Sequence, residues 1–346
     1  MNLKTIAGNA LNHLGVPRAA AAARRLGLWR GGELMVVLYH RVVDPGEVGE
    51  MDPDLIDATP ADFDAQMATL ASRFHPVSID EVLAAHRSAR PLPPGSVLVT
   101  FDDGYRDNFE QAFPILQRHG IPGLFFISTG HVDGRRLFWW EQLSLFVRRS
   151  GLDRATLEYP TRKQLDLSSP AARTAVIRAL NRTVKDIYGL DVDRFLREVA
   201  AACQVPWSEA DATALADRAL MTWDQVREMR RAGMGIGSHT HTHRVLNTLT
   251  AADLDQELRG SRLLLEQRLG EPVTTIAYPV GKSIAGLPWV KQALADAGYE
   301  LGFTTTPGTN RIGAGSDPFD LRRLPIDRGL PQGVAEMYLS FPALAR

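Results

Sequence analysis

The residues able to do chemistry fall in four short clusters, each at the end of an apolar run. Residues 97–101 (VLVTF) lead directly into Asp102-Asp103-Gly104. Adjacent carboxylates repel, so one of such a pair commonly meets a cation or takes a raised pKa. One can bind a metal while the other serves as base, although Asp is also favoured at a plain helix N-terminus. The second cluster is Gly237-Ser238-His239-Thr240-His241-Thr242-His243. His239 and His243 are four apart, so on a helical turn both imidazoles would face one way. Such a pair suits zinc, with an oxygen ligand added and one position left for water; His241 would point elsewhere. The third cluster is Ala277-Tyr278-Pro279-Val280-Gly281-Lys282, whose backbone N–H groups could form an oxyanion hole, though alone it signals only a turn. The fourth is Leu38-Tyr39-His40-Arg41, a single histidine at the end of another apolar run.

The elements that must position these clusters alternate along the chain. Residues 34–39 (LMVVLY), 97–101 and 123–127 (GLFFI) are continuous apolar runs, as expected of strands buried on both faces of a parallel sheet. Helices are expected over 60–74, 79–87 and 108–119, giving a βαβ unit around Asp102. Residues 133–221 break the rhythm with charged helical stretches (171–188, 193–202, 208–216) and little strand pattern, and read as a helical insertion expected to cover the site. The alternation resumes with Thr222 as helix cap, strand 235–238, helix 251–269, strand 275–278, helix 287–297, strand 301–305 and a last strand near 323–326. The expected division is therefore an N-terminal helical segment (1–33), a first barrel part (34–132), the insertion (133–221) and a second barrel part (222–346). About six or seven βα units give an α/β barrel or an open doubly wound sheet, and in both the chemistry sits at the C-terminal strand ends.

Bulk properties narrow the class. The chain has 346 residues, 45% hydrophobic and 23% charged, as in one large globular α/β domain with additions. A net charge of −1 gives no basic surface for nucleic acid. Its one cysteine, Cys203, excludes an intrachain disulfide and suits a reducing compartment. The first residues lack a clean signal-peptide core and no apolar run reaches the roughly 20 residues of a bilayer span, so a cytoplasmic location is expected. Leu3, Ile6, Ala10, Leu11 and Leu14, with Arg18, Arg24, Arg25 and Arg30 downstream, fit a helix packed on its own domain or one in peripheral membrane contact.

TFDDG followed by SHTHTH, in this order, resembles the polysaccharide deacetylases of the NodB-homology group (carbohydrate esterase family 4), over residues 34–130 and 222–328. The resemblance implies a distorted (β/α)7 barrel and a hydrolase acting on a carbon–nitrogen (non-peptide) amide bond, removing an acetyl or other acyl group from an N-acylated sugar of a polysaccharide or lipid-linked glycan. It implies Asp102 as base, and Asp103, His239 and His243 as ligands of a divalent metal, most often zinc, with nickel or cobalt as alternatives. Thr240 would stand behind the first metal histidine, and Tyr278, Pro279, Val280 and Gly281 would form the oxyanion and substrate loop, with the Val280 N–H as donor. Two departures stand out. Ala277 occupies the place of an arginine that braces the base in many members, and no histidine follows His243, so the usual late acid is absent. This is similar to the biofilm-polysaccharide deacetylase branch, which implies His40 as the replacement acid. Arg322 or Arg323 could substitute for the missing arginine, and Trp139 and Trp140 could stack a sugar or simply pack. Alternatives are a deformylase or O-deacetylase using the same site, and, from another class, an inactive metal-containing carbohydrate-binding protein.

Overall fold

The computed structural model describes residues 33–328 apart from 314 and 327, so the expected N-terminal helix and its membrane contact lie outside the described residues. Six strands run parallel in the spatial order Leu301–Phe303, Thr275–Ala277, Gly235–Ser238, Gly123–Ile127, Ser96–Phe101, Glu33–Tyr39. Leu324–Pro325 pairs parallel with Val37 and Leu38 and acts as a seventh. The stretch leading to it also touches the far edge of the sheet: Phe303 bridges Leu321, and Thr304 N–H donates to Leu321 O at 2.8 Å. The sheet thus curls into the NodB-type (β/α) barrel, its two edges joined by residues 318–326. Among the described residues no helix is long and apolar enough to cross a membrane.

Local sequence accounts for most elements. Every residue of Ser96–Phe101 and Gly123–Ile127 is buried, which only an apolar run can satisfy at the centre of a parallel sheet. The Phe101 and Phe125 rings stack at 4.6 Å between their centroids, with Tyr39 against Phe101 at 5.6 Å, tying three adjacent strands together. Thr222 caps the helix Trp223–Arg231 and exchanges hydrogen bonds with Gln225, and Ser78 does the same with Glu81 for Ile79–Ser88.

Four features differ from the sequence pattern. Residues 108–119 begin as a wide π-turn at Asn108–Ala112 before the α-helix Phe113–His119; Pro114 has no N–H to give, and the Phe113 N–H reaches back to Asn108 O. Residues 251–269 likewise carry a π stretch at Gln256–Gly260. Within 133–221 the expected helices form, but an antiparallel hairpin, Arg154–Leu157 with Lys163–Asp166, lies among them. Its alternation, with Ala155, Leu157 and Leu165 turned inward, is a period-2 signal hidden between charged segments. Thr309–Arg311, an antiparallel strand on Glu33–Met35, has no apolar run of its own and exists only through that pairing.

Because Phe101 is fully buried and contacts rings on both neighbouring strands, Phe101→Ala should cost about 3–5 kcal/mol of stability. A urea unfolding midpoint that barely moves would contradict this packing role.

Candidate active site at the strand ends

Asp102 and Asp103 leave the end of Ser96–Phe101 through a sharp turn. The Asp102 N–H donates to Tyr39 O at 3.0 Å, continuing the ladder, and Asp103 then takes φ +78° with Gly104 at φ +94°. A non-glycine residue is uncommon there, so the turn is held by its surroundings. It points the two carboxylates into one cleft of about 240 Å³ with His40, His239 and His243.

His239 and His243 do not share a helical turn as the spacing suggested. They sit in a loop in which Thr240 (φ +62°) and His243 (φ +56°) both adopt left-handed backbone. Hydrogen bonds fix that loop. Thr240 Oγ1 accepts from the His243 N–H at 3.1 Å, and the Thr240 N–H donates to Ser238 Oγ at 3.1 Å. Glu257, buried in the π stretch, accepts from the His241 and Thr242 N–H groups at 2.8 Å each and from the Thr242 hydroxyl. The wide turn aims Glu257 at this loop, a use of π-bulges seen at functional sites. No sequence signal singled Glu257 out.

Asp103, His239 and His243 place one ligand atom each within 4.8 Å of one another, all buried. The His239 Nδ1–H donates to Ala277 O at 2.8 Å, so Nε2 keeps its lone pair and faces Asp103 Oδ1 at 3.4 Å. His243 Nε2 faces the same oxygen at 3.3 Å. Asp103 Oδ1 has no hydrogen-bond partner. A buried carboxylate oxygen aimed at two imidazole nitrogens, with no donor of its own, fits a divalent cation. Burial pushes His243 toward its neutral, ligating form, and although burial alone would raise Asp103, the two histidines hold it well below the usual carboxylate range.

Asp102 turns the other way, to Arg323. The guanidinium forms a fork on the carboxylate, Nη1 to Oδ1 and Nη2 to Oδ2 at 2.7 Å each, and its Nε donates to Thr304 O at 2.8 Å. Both groups are buried. Burial would raise Asp102, yet Arg323, with His239 and His40, lowers it below the ordinary value. Of the two arginines the sequence offered, Arg323 reaches the carboxylate; Arg322 instead donates its backbone N–H to Asn310 Oδ1.

His40 sits across the cleft. Its Nδ1 lies 3.1 Å from Asp57 Oδ2, and its backbone N–H donates to the same oxygen. Its side chain keeps 31% of its surface in solvent, so desolvation only partly opposes the ion pair. Burial lowers the imidazole pKa, but Asp57, backed by Asp103 and Asp102, raises it to about 9. The segment is pinned from the downstream motif: Asn108 Nδ2 donates to His40 O at 2.8 Å, and Asp107 accepts from Arg41 Nε and the Val42 N–H. Asp57, Asp107 and Asn108 escaped the sequence reading because a lone Asp or Asn in a loop carries no spacing signal.

A family model for polysaccharide deacetylases matches residues 89–188 and 202–302, more than half of the chain. The chain belongs to the polysaccharide deacetylase family. Such proteins are hydrolases of amide bonds in carbohydrates. A Bacillus subtilis (strain 168) protein provisionally named polysaccharide deacetylase YxkH is 22% identical over 246 residues, covering 70% of this chain and 56% of its own length. The poly-beta-1,6-N-acetyl-D-glucosamine N-deacetylase of Escherichia coli (strain K12) is 32% identical over 106 residues, 30% of this chain and 15% of its own length. The chain therefore matches only about half, or less, of these relatives. Streptococcus pyogenes deacetylase PplD, solved with acetate, superposes with a TM-score of 0.57 at 19% identity over 90% of this chain and 98% of that one, a likeness of fold.

Three side chains expected at the cleft are also engaged within the protein. Trp139 and Trp140 line the cleft but are largely buried, and Trp140 stacks on Phe138 at 4.3 Å and meets His243 at 4.3 Å in a tilted contact. Trp140 Nε1 donates to Tyr105 Oη and Trp139 Nε1 to His243 O, so the rings pack beside His243. Tyr278 borders the cleft, but its hydroxyl donates to Phe319 O at 2.9 Å in the core. Its loop is nonetheless tightly shaped. Val280 takes φ +64°, costly for a β-branched residue, and a Cβ on Gly281 would lie 2.1 Å from Thr305 Cγ2.

Removing Glu257 leaves part-buried N–H donors at His241 and Thr242 unpaired. Glu257→Ala should therefore lower stability by roughly 1–3 kcal/mol and speed hydrogen exchange at those two amides. Exchange unchanged at both positions would mean the carboxylate does not hold the loop.

Proposed function

We propose that the chain is a metal-dependent N-deacetylase acting on an N-acetylated sugar of a polysaccharide or lipid-linked glycan. The observation that carries this reading is the opposition, within one cleft, of two differently partnered groups: Asp102 forked by Arg323, and His40 paired with Asp57. Amide hydrolysis needs both, a base to take a proton from water and an acid to give one to the leaving amine. The guanidinium favours the ionised form of Asp102, which lines the cleft. His40 has the proton an expelled amine requires. The Val280 N–H, on a strained loop, stands as the donor to the developing oxyanion.

Asp103, His239 and His243 would hold the divalent ion, with zinc the first expectation from this ligand set. When bound, such an ion polarises the amide carbonyl and acidifies water. His239, through its bond to Ala277 O, and His243, through the tryptophans, are fixed to present Nε2.

Three outcomes are expected. Acetate release from acetylated glucosamine oligomers should fall by roughly 10²- to 10⁴-fold in Asp102→Asn, with metal content retained. Metal bound per chain, measured by elemental analysis, should drop in Asp103→Asn and His239→Ala; full retention in both would displace the assigned ligands. The third concerns pH. The His40 pKa is raised to about 9, so the proton donor is present below that value and is lost as pH rises through it. Turnover should therefore decline on the alkaline side. Asp57→Asn removes the raising carboxylate and should shift that decline to lower pH; a limb that stays in place would remove His40 from the acid role.

A further inference from the structure

The helix Pro170–Asp186 comes from the segment between the two barrel halves, yet it sends two side chains into the cleft that holds Asp102, Asp103 and His243. Asn181 and Lys185 are four apart and share a helix face. Neither has an evident task within the protein. Asn181 Oδ1 is buried without a hydrogen-bond partner. Lys185 is half-buried, and among the described residues its ammonium makes no ion pair or hydrogen bond, while its neighbour Asp186 is engaged by Lys282 at 3.2 Å. A partly desolvated ammonium without a partner is destabilising unless a ligand completes it.

The other charges of the cleft are already matched. Asp102 is forked by Arg323, Asp57 meets His40, Asp52 is met by Arg148 at 3.3 Å, and Asp103 faces the two histidines. Lys185 is within electrostatic reach of Asp103 and His243 but in contact with neither. Its charge is left for something that enters from outside.

We propose that Lys185 and Asn181 bind an anionic group of the substrate, a carboxylate or a phosphate on or next to the N-acetylated sugar. The ammonium donates to the anionic oxygens and the Asn181 Oδ1 accepts from an adjacent sugar hydroxyl. The substrate class is thus an acidic glycan or a glycosyl phosphate rather than a neutral polymer. This rests on the deacetylase reading of the same cleft.

The test is calorimetric binding to the full chain carrying Asp102→Asn, which separates binding from turnover. Three probes are used: a neutral N-acetylglucosamine tetramer, a tetrasaccharide alternating N-acetylglucosamine with glucuronate, and N-acetylglucosamine 1-phosphate. At least one anionic probe should bind about tenfold tighter or better than the neutral tetramer at low salt, with the advantage shrinking as salt is added. Which anionic probe wins tells a uronate from a phosphate. Adding Lys185→Met should erase the advantage, and Lys185→Arg should keep most of it. Equal binding of all three probes, no binding of either anionic probe, or an advantage that survives Lys185→Met overturns the proposal. So does a Lys185→Met loss of kcat that is the same on neutral and anionic sugars, which would place the ammonium at the reacting atoms. Acetate release by the wild-type chain runs alongside. Charge-selective binding without release from any sugar would sink the deacetylase reading alone; release without charge preference would sink only this inference.

Discussion

Two adjacent carboxylates at the mouth of a barrel, both largely buried, set the terms for everything around them. Ionised carboxylates that close cannot coexist in a low-dielectric interior unless each finds its own positive partner. Asp102 finds Arg323, and Asp103 finds two imidazoles and a place suited to a cation. The left-handed backbone at Asp103 belongs to the sharp turn that brings both carboxylates to the cleft. Breaking either partnership would strand a charge in the core, so chemistry and stability are coupled at this point.

The partners come from far along the chain, and that makes barrel closure part of the site. Arg323 reaches Asp102 only because residues 318–326 run between Phe303 and Leu38 and join the sheet edges. His40 is delivered by the first strand and steadied by Asp107 and Asn108, which follow the aspartates in sequence. The carboxylate motif and the residues just after it thus hold the candidate metal cluster and the segment opposite it.

The segment between the barrel halves adds a second layer. Glu141 is buried, accepts from the Asp52 N–H and Tyr105 Oη, and has its pKa raised by burial to about 7. Tyr105 in turn accepts from Trp140, whose ring lies on His243. A chain of contacts therefore runs from the helix Trp139–Arg149 to a candidate metal ligand, and the next helix supplies Asn181 and Lys185 to the same cleft.

By itself the sequence determined the strands and the chemical inventory. Apolar runs of strand length can only be satisfied by burial on both faces, and Asp102, Asp103, His239 and His243 cluster within a few residues at strand ends, so their spacing is readable. The absence of a histidine after His243 also pointed to His40 as the acid to consider. What the tertiary structure alone decided is partnership across distance: Arg323 rather than Arg322 on Asp102, Asp57 beneath His40, Glu257 under the histidine loop, and Lys185 facing the cleft. Single charged residues in loops or on helices carry no periodic signal. The histidine pair shows the same limit from the other side, since its spacing suggested a helical turn while hydrogen bonds from Thr240 and Glu257 hold a left-handed loop. Which carboxylate, amide or ammonium meets which is fixed by the closing of the sheet, when burial makes every unmatched charge costly.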